Sequence, residues 1–310
     1  MDRRSWTMLL VLGAIWGASY MFIKIGLRDL TPEAIAFIRV ALAALILVPM
    51  AWAQGALGSL RGLARWLFVI GGVQVAVPFV LIGLGEEEIS SGLAGILVAT
   101  TPMFTALLAI WVDHEERSHG LRLVGVAGGF AGVALLLGFD LGGSRAELLG
   151  GLLVVLAGLG YAIGALTAKH KLADVPPIAM SAGVMATSTI ALVPAAIAGA
   201  PGEAPGIGPL AAVFTLGVLG TGFAFIILYS LISSVGPART WLVTYIAPLF
   251  AVVYGAALLD ERITLATIGG MALILGGSWL AAEGRMPGGD SRAPAGAAPA
   301  EPEPGAAYHR

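Results

Sequence analysis

Residues 6–53 read WTMLLVLGAIWGASYMFIKIGLRDLTPEAIAFIRVALAALILVPMAWA, two apolar stretches parted by a short break that carries Arg28, Asp29 and Pro32. Each stretch has about the twenty residues that a helix rising 1.5 Å per residue needs to cross roughly 30 Å of hydrocarbon. The pattern repeats along the chain and predicts spans at about 6–27, 33–53, 65–85, 91–112, 121–139, 148–168, 177–199, 208–232, 238–259 and 264–283, with short connections throughout. No strand-length alternation of apolar and polar residues appears. Hydrocarbon cannot satisfy free backbone groups, so the expectation is an all-α integral membrane protein of ten transmembrane helices. Arg3 and Arg4 ahead of an apolar run have the form of a signal-peptide opening. The run continues from Trp6 to Ile23 and nine more follow, so it is read as a first span.

Composition agrees and excludes other classes. Of the 310 residues 58% are hydrophobic and 12% charged, whereas soluble domains carry about 25% charged residues. A net charge of −2 without a concentrated basic patch argues against nucleic acid as a partner. The absence of cysteine removes disulfides, thiolate catalysis and Cys-ligated metals. The run His114-Glu115-Glu116-Arg117-Ser118-His119 has its histidines five apart, which places them about 140° apart around a helix instead of on one metal-binding face. All four histidines (His114, His119, His170, His309) fall in expected loops or the tail, and none of the three lysines follows a glycine. Intramembrane hydrolysis, a P-loop pump and an enzyme of any kind are therefore not expected, and no metal or cofactor is assigned.

Basic residues orient the bundle. With the N-terminus cytoplasmic, eleven Lys and Arg fall on the inside and three (Arg28, Arg145, Arg262) outside; by the positive-inside rule both termini are expected in the cytoplasm. The two halves also match. At an offset of 145, Gly13 falls on Gly158, Trp16 on Tyr161, Lys24 on Lys169, Asp29 on Asp174, Pro32 on Pro177 and Pro49 on Pro194. At 146, Pro102 falls on Pro248 and Glu115 on Glu261. Five spans is an odd number, so the second copy enters the membrane upside down, the inverted-repeat plan of secondary transporters. The expected division is a first repeat at 1–140, a second at 141–283 and a disordered Pro-, Gly- and Ala-rich tail at 284–310.

Several motifs then carry a resemblance. They are Ala14-Ile15-Trp16-Gly17-Ala18-Ser19, Phe37-Ile38-Arg39-Val40-Ala41-Leu42, Ser91-Gly92-Leu93-Ala94 and Thr101-Pro102-Met103-Phe104-Thr105-Ala106-Leu107-Leu108 in the first half. In the second half Gly236-Pro237-Ala238, Ala247-Pro248-Leu249-Phe250 and Asp260-Glu261-Arg262 precede a Gly-rich last helix. Over residues 6–283 the chain resembles the EamA-type branch of the drug/metabolite transporter superfamily. The resemblance implies two EamA repeats around a central cavity and export of small metabolites, amino acids and their analogues among them. Bacterial exporters of aromatic and other neutral amino acids are the members it is most similar to, which implies an inner-membrane location. The Glu86-Glu87-Glu88 run departs from the neutral or mixed segment that members more often carry before helix four.

Candidate site residues follow from chemistry. Trp16 with Tyr20 and Trp241 with Tyr245 are i, i+4 pairs sharing a helix face, and Tyr161 is the repeat-mate of Trp16. Gln74 is the one amide within a span. These six are expected at the substrate site, with helix contact or an interfacial belt as the alternative. Lys24 and Arg39, in the outer parts of their helices, are either pathway charges or structural, Lys24 by snorkelling and Arg39 by bonding backbone carbonyls. Pro78, Pro102 and Pro248 at mid-span are candidate hinges. The pairs Gly125/Gly129, Gly128/Gly132 and Gly160/Gly164 offer small faces for helix contact within one chain or in a homodimer. The resulting expectation is a secondary transporter working by alternating access on a small-molecule substrate, an amino acid or related metabolite, with the lipid bilayer as its other partner. A channel-like or scaffold membrane protein is the alternative.

Reporter fusions or thiol labelling should place residues near Arg61 and Lys171 in the cytoplasm and residues near Glu87 and Glu203 outside. Finding 86–90 and 113–119 on one side of the membrane would rule out the ten-span arrangement.

Overall fold

The computed structural model describes residues 1–112, 120–140 and 144–283. The histidine run at 114–119, His309, Glu115 and the expected tail at 284–310 lie outside the described residues. Within them the fold is helical. Helices α1 (Arg3–Gly26), α2 (Pro32–Ala53), α3 (Ala64–Glu88), α6 (Arg145–Lys171), α7 (Pro177–Ala198) and α8 (Ile207–Val235) are each long and apolar enough to span. α4 comes in two pieces, Ser91–Val98 and Thr101–Val112, and α5 runs over Leu121–Leu135 into a wide turn at Leu136–Asp140. α9 is a short turn, Pro237–Thr240, then Val243–Leu258, and α10 is Leu265–Glu283. The starts are set by local chemistry: Asp2, Thr31, Ser90 and Ser144 accept from amides in the first turns of α1, α2, α4 and α6, and Pro32 and Pro177 sit where no amide partner is needed.

Helix contacts display the inverted repeat. α2 packs on α7, α4 on α9 and α5 on α10, each helix against its own repeat-mate. The other main contacts come as mirrored pairs: α1 with α9 and α6 with α4, α1 with α8 and α6 with α3, α2 with α8 and α7 with α3. Most of these pairings join one repeat to the other, so the two five-helix repeats form a single interleaved bundle. Close approach depends on glycine. A Cβ on Gly125 would come 2.6 Å from the Gly277 carbonyl oxygen, and one on Gly132 would come 2.9 Å from that of Gly270, which explains how α5 lies so tightly on α10. Gly160 and Gly164 similarly admit α3, meeting the Val73 carbonyl and the Gln74 side chain. A Cβ on Gly128 would meet no other described residue, so of the pair Gly128/Gly132 only Gly132 makes a close helix contact within the chain.

The core is unequal at the two ends. At the end that holds the α1–α2 and α3–α4 connections, hereafter the acidic end, one apolar cluster draws on nine of the ten helices, among them Ile23, Ile35, Ile82, Leu97, Val154, Val213 and Val252. The remaining core divides into three separate clusters, centred on α2/α3/α7, on α1/α8/α9 and on α4/α5/α10. The bundle is thus closed at its acidic end and split into blocks elsewhere.

Gly125→Leu should destabilise the purified protein by about 1–3 kcal/mol by forcing α5 from α10, read as a lowered thermal unfolding midpoint. Gly128→Leu, with space around it, should stay within about 0.5 kcal/mol of the wild type. Equal losses would contradict the contact geometry.

Candidate substrate chamber and seal

Arg39 enters α2 seven residues after Pro32, about 10 Å from the helix start by the rise per residue, but its head reaches further. Its Nε donates to Thr221 Oγ1 at 2.8 Å, and Thr221 lies fourteen residues into α8, about 21 Å along that helix. The guanidinium carbon stands 3.8 Å from the Phe79 ring centroid, and Phe79 meets Tyr161 edge to face at 6.4 Å. Arg39 also acts electrostatically on Tyr20 and Tyr161. Side chains from α1, α2, α3, α6 and α8 therefore meet around one charge near mid-membrane. Placing an arginine there costs about 2.5–3.5 kcal/mol on insertion scales; a desolvated cation–π contact returns roughly 2 kcal/mol. The Thr221 hydrogen bond adds to this. Tyr20 and Tyr161 are only partly buried although they lie deep in the bundle, as chamber-lining residues would be.

Two wide π-turns shape this chamber, Gly71–Ala76 in α3 and Leu216–Phe223 in α8. They begin at repeat-mates, since Gly71 plus 145 is Leu216. Hydroxyls of α7 stand beside the first turn: Ser188 Oγ is within donating distance of Gly71 O, at 2.9 Å, and of Val184 O in its own helix, at 2.7 Å, and Thr187 Oγ1 of Leu67 O, at 3.0 Å, and of Gly183 O, at 2.9 Å. Gln74 sits in the first turn and Thr221 in the second.

The expected site residues do not all converge. Tyr20, Tyr161 and Arg39 come together, and Gln74 flanks them against Gly164. Trp16 packs instead with Leu9, Leu12 and Ile246 in the α1/α8/α9 cluster. Tyr245 points to α10, its hydroxyl 3.4 Å from Ser278 O, and Trp241 is 49% exposed at the break in α9. Lys24 does not reach the chamber: its Nζ donates to Glu86 O and, at 2.9 Å, to Ile89 O, closing the C-terminus of α3. The prolines differ as well. α4 breaks at Ala99–Thr100 just before Pro102, Pro248 lies inside the continuous Val243–Leu258 stretch of α9, and Pro78 follows the α3 π-turn.

Above the chamber the acidic end is tied shut across the repeats. Glu261 accepts from Ser91 N at 2.7 Å and Gly92 N at 2.9 Å, so a carboxylate of the second repeat caps α4 of the first. Thr31 Oγ1 donates to Gly199 O at 2.7 Å, and Asp29 accepts from Gly206 N at 2.8 Å. Glu261 is marked in the sequence as part of a short motif and as the repeat-mate of Glu115, with no role assigned, and Thr221 carries no sequence signal. At the opposite end a recess of about 470 Å³ lies between α2, α7 and α8, lined by Gln54, Pro177, Tyr229 and Ser230.

Two interlocked inverted repeats that meet around a buried arginine define a multi-pass membrane protein. The chain belongs to the EamA-like transporter family, which matches residues 4–138 and 148–282, one repeat each. It is similar to an "Uncharacterized transporter" of Archaeoglobus fulgidus, 28% identical over 284 residues covering 89% of this chain and 98% of the relative. The uncharacterized inner membrane transporter YedA of Escherichia coli is 29% identical over 269 residues, covering 86% and 85%. A "Probable amino-acid metabolite efflux pump" of Escherichia coli is 27% identical over 293 residues, covering 90% and 95%. A solved crystal structure matches with a TM-score of 0.65 at 19% identity over 91% of this chain and 98% of its own, which shows the fold alone.

Proposed function

We propose that this protein exports small amino acids or related metabolites from the cytoplasm by alternating access, with neutral and aromatic amino acids the favoured class. The observation that carries the reading is Arg39 held at mid-membrane among Tyr20, Phe79, Tyr161 and Thr221, where five helices of both repeats meet. A guanidinium presents a fork of donors that fits a carboxylate, and aromatic walls fit an apolar side chain. The name of the efflux-pump relative points to the same substrate class. By the positive-inside rule the sealed acidic end faces outward and the state described is the inward-facing one. Interleaved repeats with one sealed end favour a carrier over a channel, which needs a continuous pore. Trp16, Gln74, Trp241 and Tyr245 belong in this reading to the walls that the substrate passes, and Pro78, Pro102 and Pro248 to the helices that flex.

A ligand at 100 times its Kd should stabilise the purified protein by about 2.7 kcal/mol, so thermal unfolding against a panel of amino acids identifies the substrate. Counterflow in proteoliposomes then tests transport. Arg39→Lys should cut uptake of the identified substrate at least tenfold, because an ammonium cannot reproduce the two-pronged contact or the stacking on Phe79. Wild-type rates in that variant, or no stabilisation by any amino acid, would reject the substrate assignment.

A further inference from the structure

Three consecutive carboxylates close α3, and they do not share one environment. Glu87 and Glu88 are exposed, whereas Glu86 is 0% exposed. Among the described residues, neither of its carboxylate oxygens has a hydrogen-bond partner. The nearest cation does not supply one: Lys24 spends its ammonium on the carbonyls of Glu86 and Ile89. The charged and titratable groups that face Glu86 are Lys24 and Tyr20 from α1, Arg39 from α2 and Glu261 from the α9–α10 connection. Tyr161 of α6 lies beyond them, acting on Tyr20 and Arg39, and Glu33 of α2 faces the neighbouring Glu87. An ionised carboxylate is an acceptor only, and a buried place where neither oxygen receives a hydrogen bond suits it poorly. A carboxylic acid, by contrast, carries its own donor and no net charge.

We propose that Glu86 is a proton-binding site that couples the sealing of the acidic end to pH, resting on the alternating-access reading above. With the end sealed, Glu86 holds a proton. Beside it lies an open surface recess of about 640 Å³, lined among others by Lys24, Arg28, Glu86, Glu87 and Glu261. When Glu261 leaves the amides of Ser91 and Gly92 and the repeats part, the Glu86 carboxyl is uncovered to the water of that recess and its proton passes into it. Resealing takes a proton back from the same water. The sign follows from linkage: the sealed state binds one more proton, so raising the pH on that side favours the open state, by up to tenfold in the open-to-sealed ratio per pH unit for a single proton.

The chain has no cysteine, so two exposed positions on opposite repeats, Arg28 and Arg262, can be changed to cysteine and spin-labelled without further substitution. Distances across the acidic end are then measured in lipid nanodiscs from pH 5 to 9, in sodium and in potassium salts. The expected result is a population at the long distance that grows with pH, with a slope of at most one proton and no difference between the salts. Glu86→Gln, neutral at every pH, should remain at the short distance throughout, and Glu87→Gln should follow the wild type. Glu86→Asp, which keeps the acid, guards against a glutamine variant that does not fold: it should retain the slope with a displaced midpoint. A pH response unchanged in both Glu86 variants, a flat wild-type response, or a response to sodium in place of pH overturns the proposal. No substrate is needed, so failure of every amino acid to be transported would reject the proposed function and leave this outcome distinct.

Discussion

Hydrocarbon offers the backbone no partner, so each departure from an unbroken helix inside the membrane must be met by another part of the protein. In this bundle the partner comes repeatedly from the other repeat. Ser278 Oγ donates to Ala99 O at 2.5 Å where α4 breaks, Ser188 and Thr187 serve the α3 π-turn, and Glu261 receives the first amides of α4. All four side chains belong to the second repeat and all the backbone groups to the first. Irregular backbone of the first repeat is thus held by side chains of the second, which ties local backbone geometry to the arrangement of the two halves.

That dependence explains how a symmetric plan yields an asymmetric state. Helix partners obey the two-fold relation, and the π-turns of α3 and α8 begin at matched residues. The breaks do not match: Ala99–Thr100 in α4 corresponds at an offset of 146 to Tyr245–Ile246, within continuous helix, while α9 breaks earlier, at Trp241–Leu242. Equivalent segments in two conformations are what a bundle sealed at one end requires. Exchanging the two conformations between repeats would seal the other end, the movement expected of an inverted-repeat carrier.

Much of this was legible in the sequence. Apolar lengths gave the spans, and the offset of 145 gave the repeat. Each is a property of many residues averaged together, and averages survive without knowledge of neighbours. The site was less legible because it depends on single side chains and their phase. Three successive glutamates cover about 200° of a helix, so one had to face inward, but only the approach of α1 and α2 decides that it is Glu86. Glu261 meets its partners 170 and 169 residues away, and nothing in its own neighbourhood marks that. For Arg39 the sequence places the Cα in the outer part of α2, whereas its long side chain carries the charge to Thr221. Proline is ambiguous for a related reason: it removes one amide wherever it stands, and the surrounding helices decide whether the chain bends there.

The central claim is that the repeats seal the acidic end through α4 and α9 and must part there for transport. A Cβ on Gly92 would stand 3.2 Å from the Cα of Val252, across that seam. Gly92→Cys with Val252→Cys in the cysteine-free chain therefore tests the claim by counterflow in proteoliposomes, before and after oxidation. The account predicts that a disulfide forms readily, abolishes transport and releases it on reduction. A bond that does not form, or a cross-linked protein that transports at the reduced rate, would contradict it.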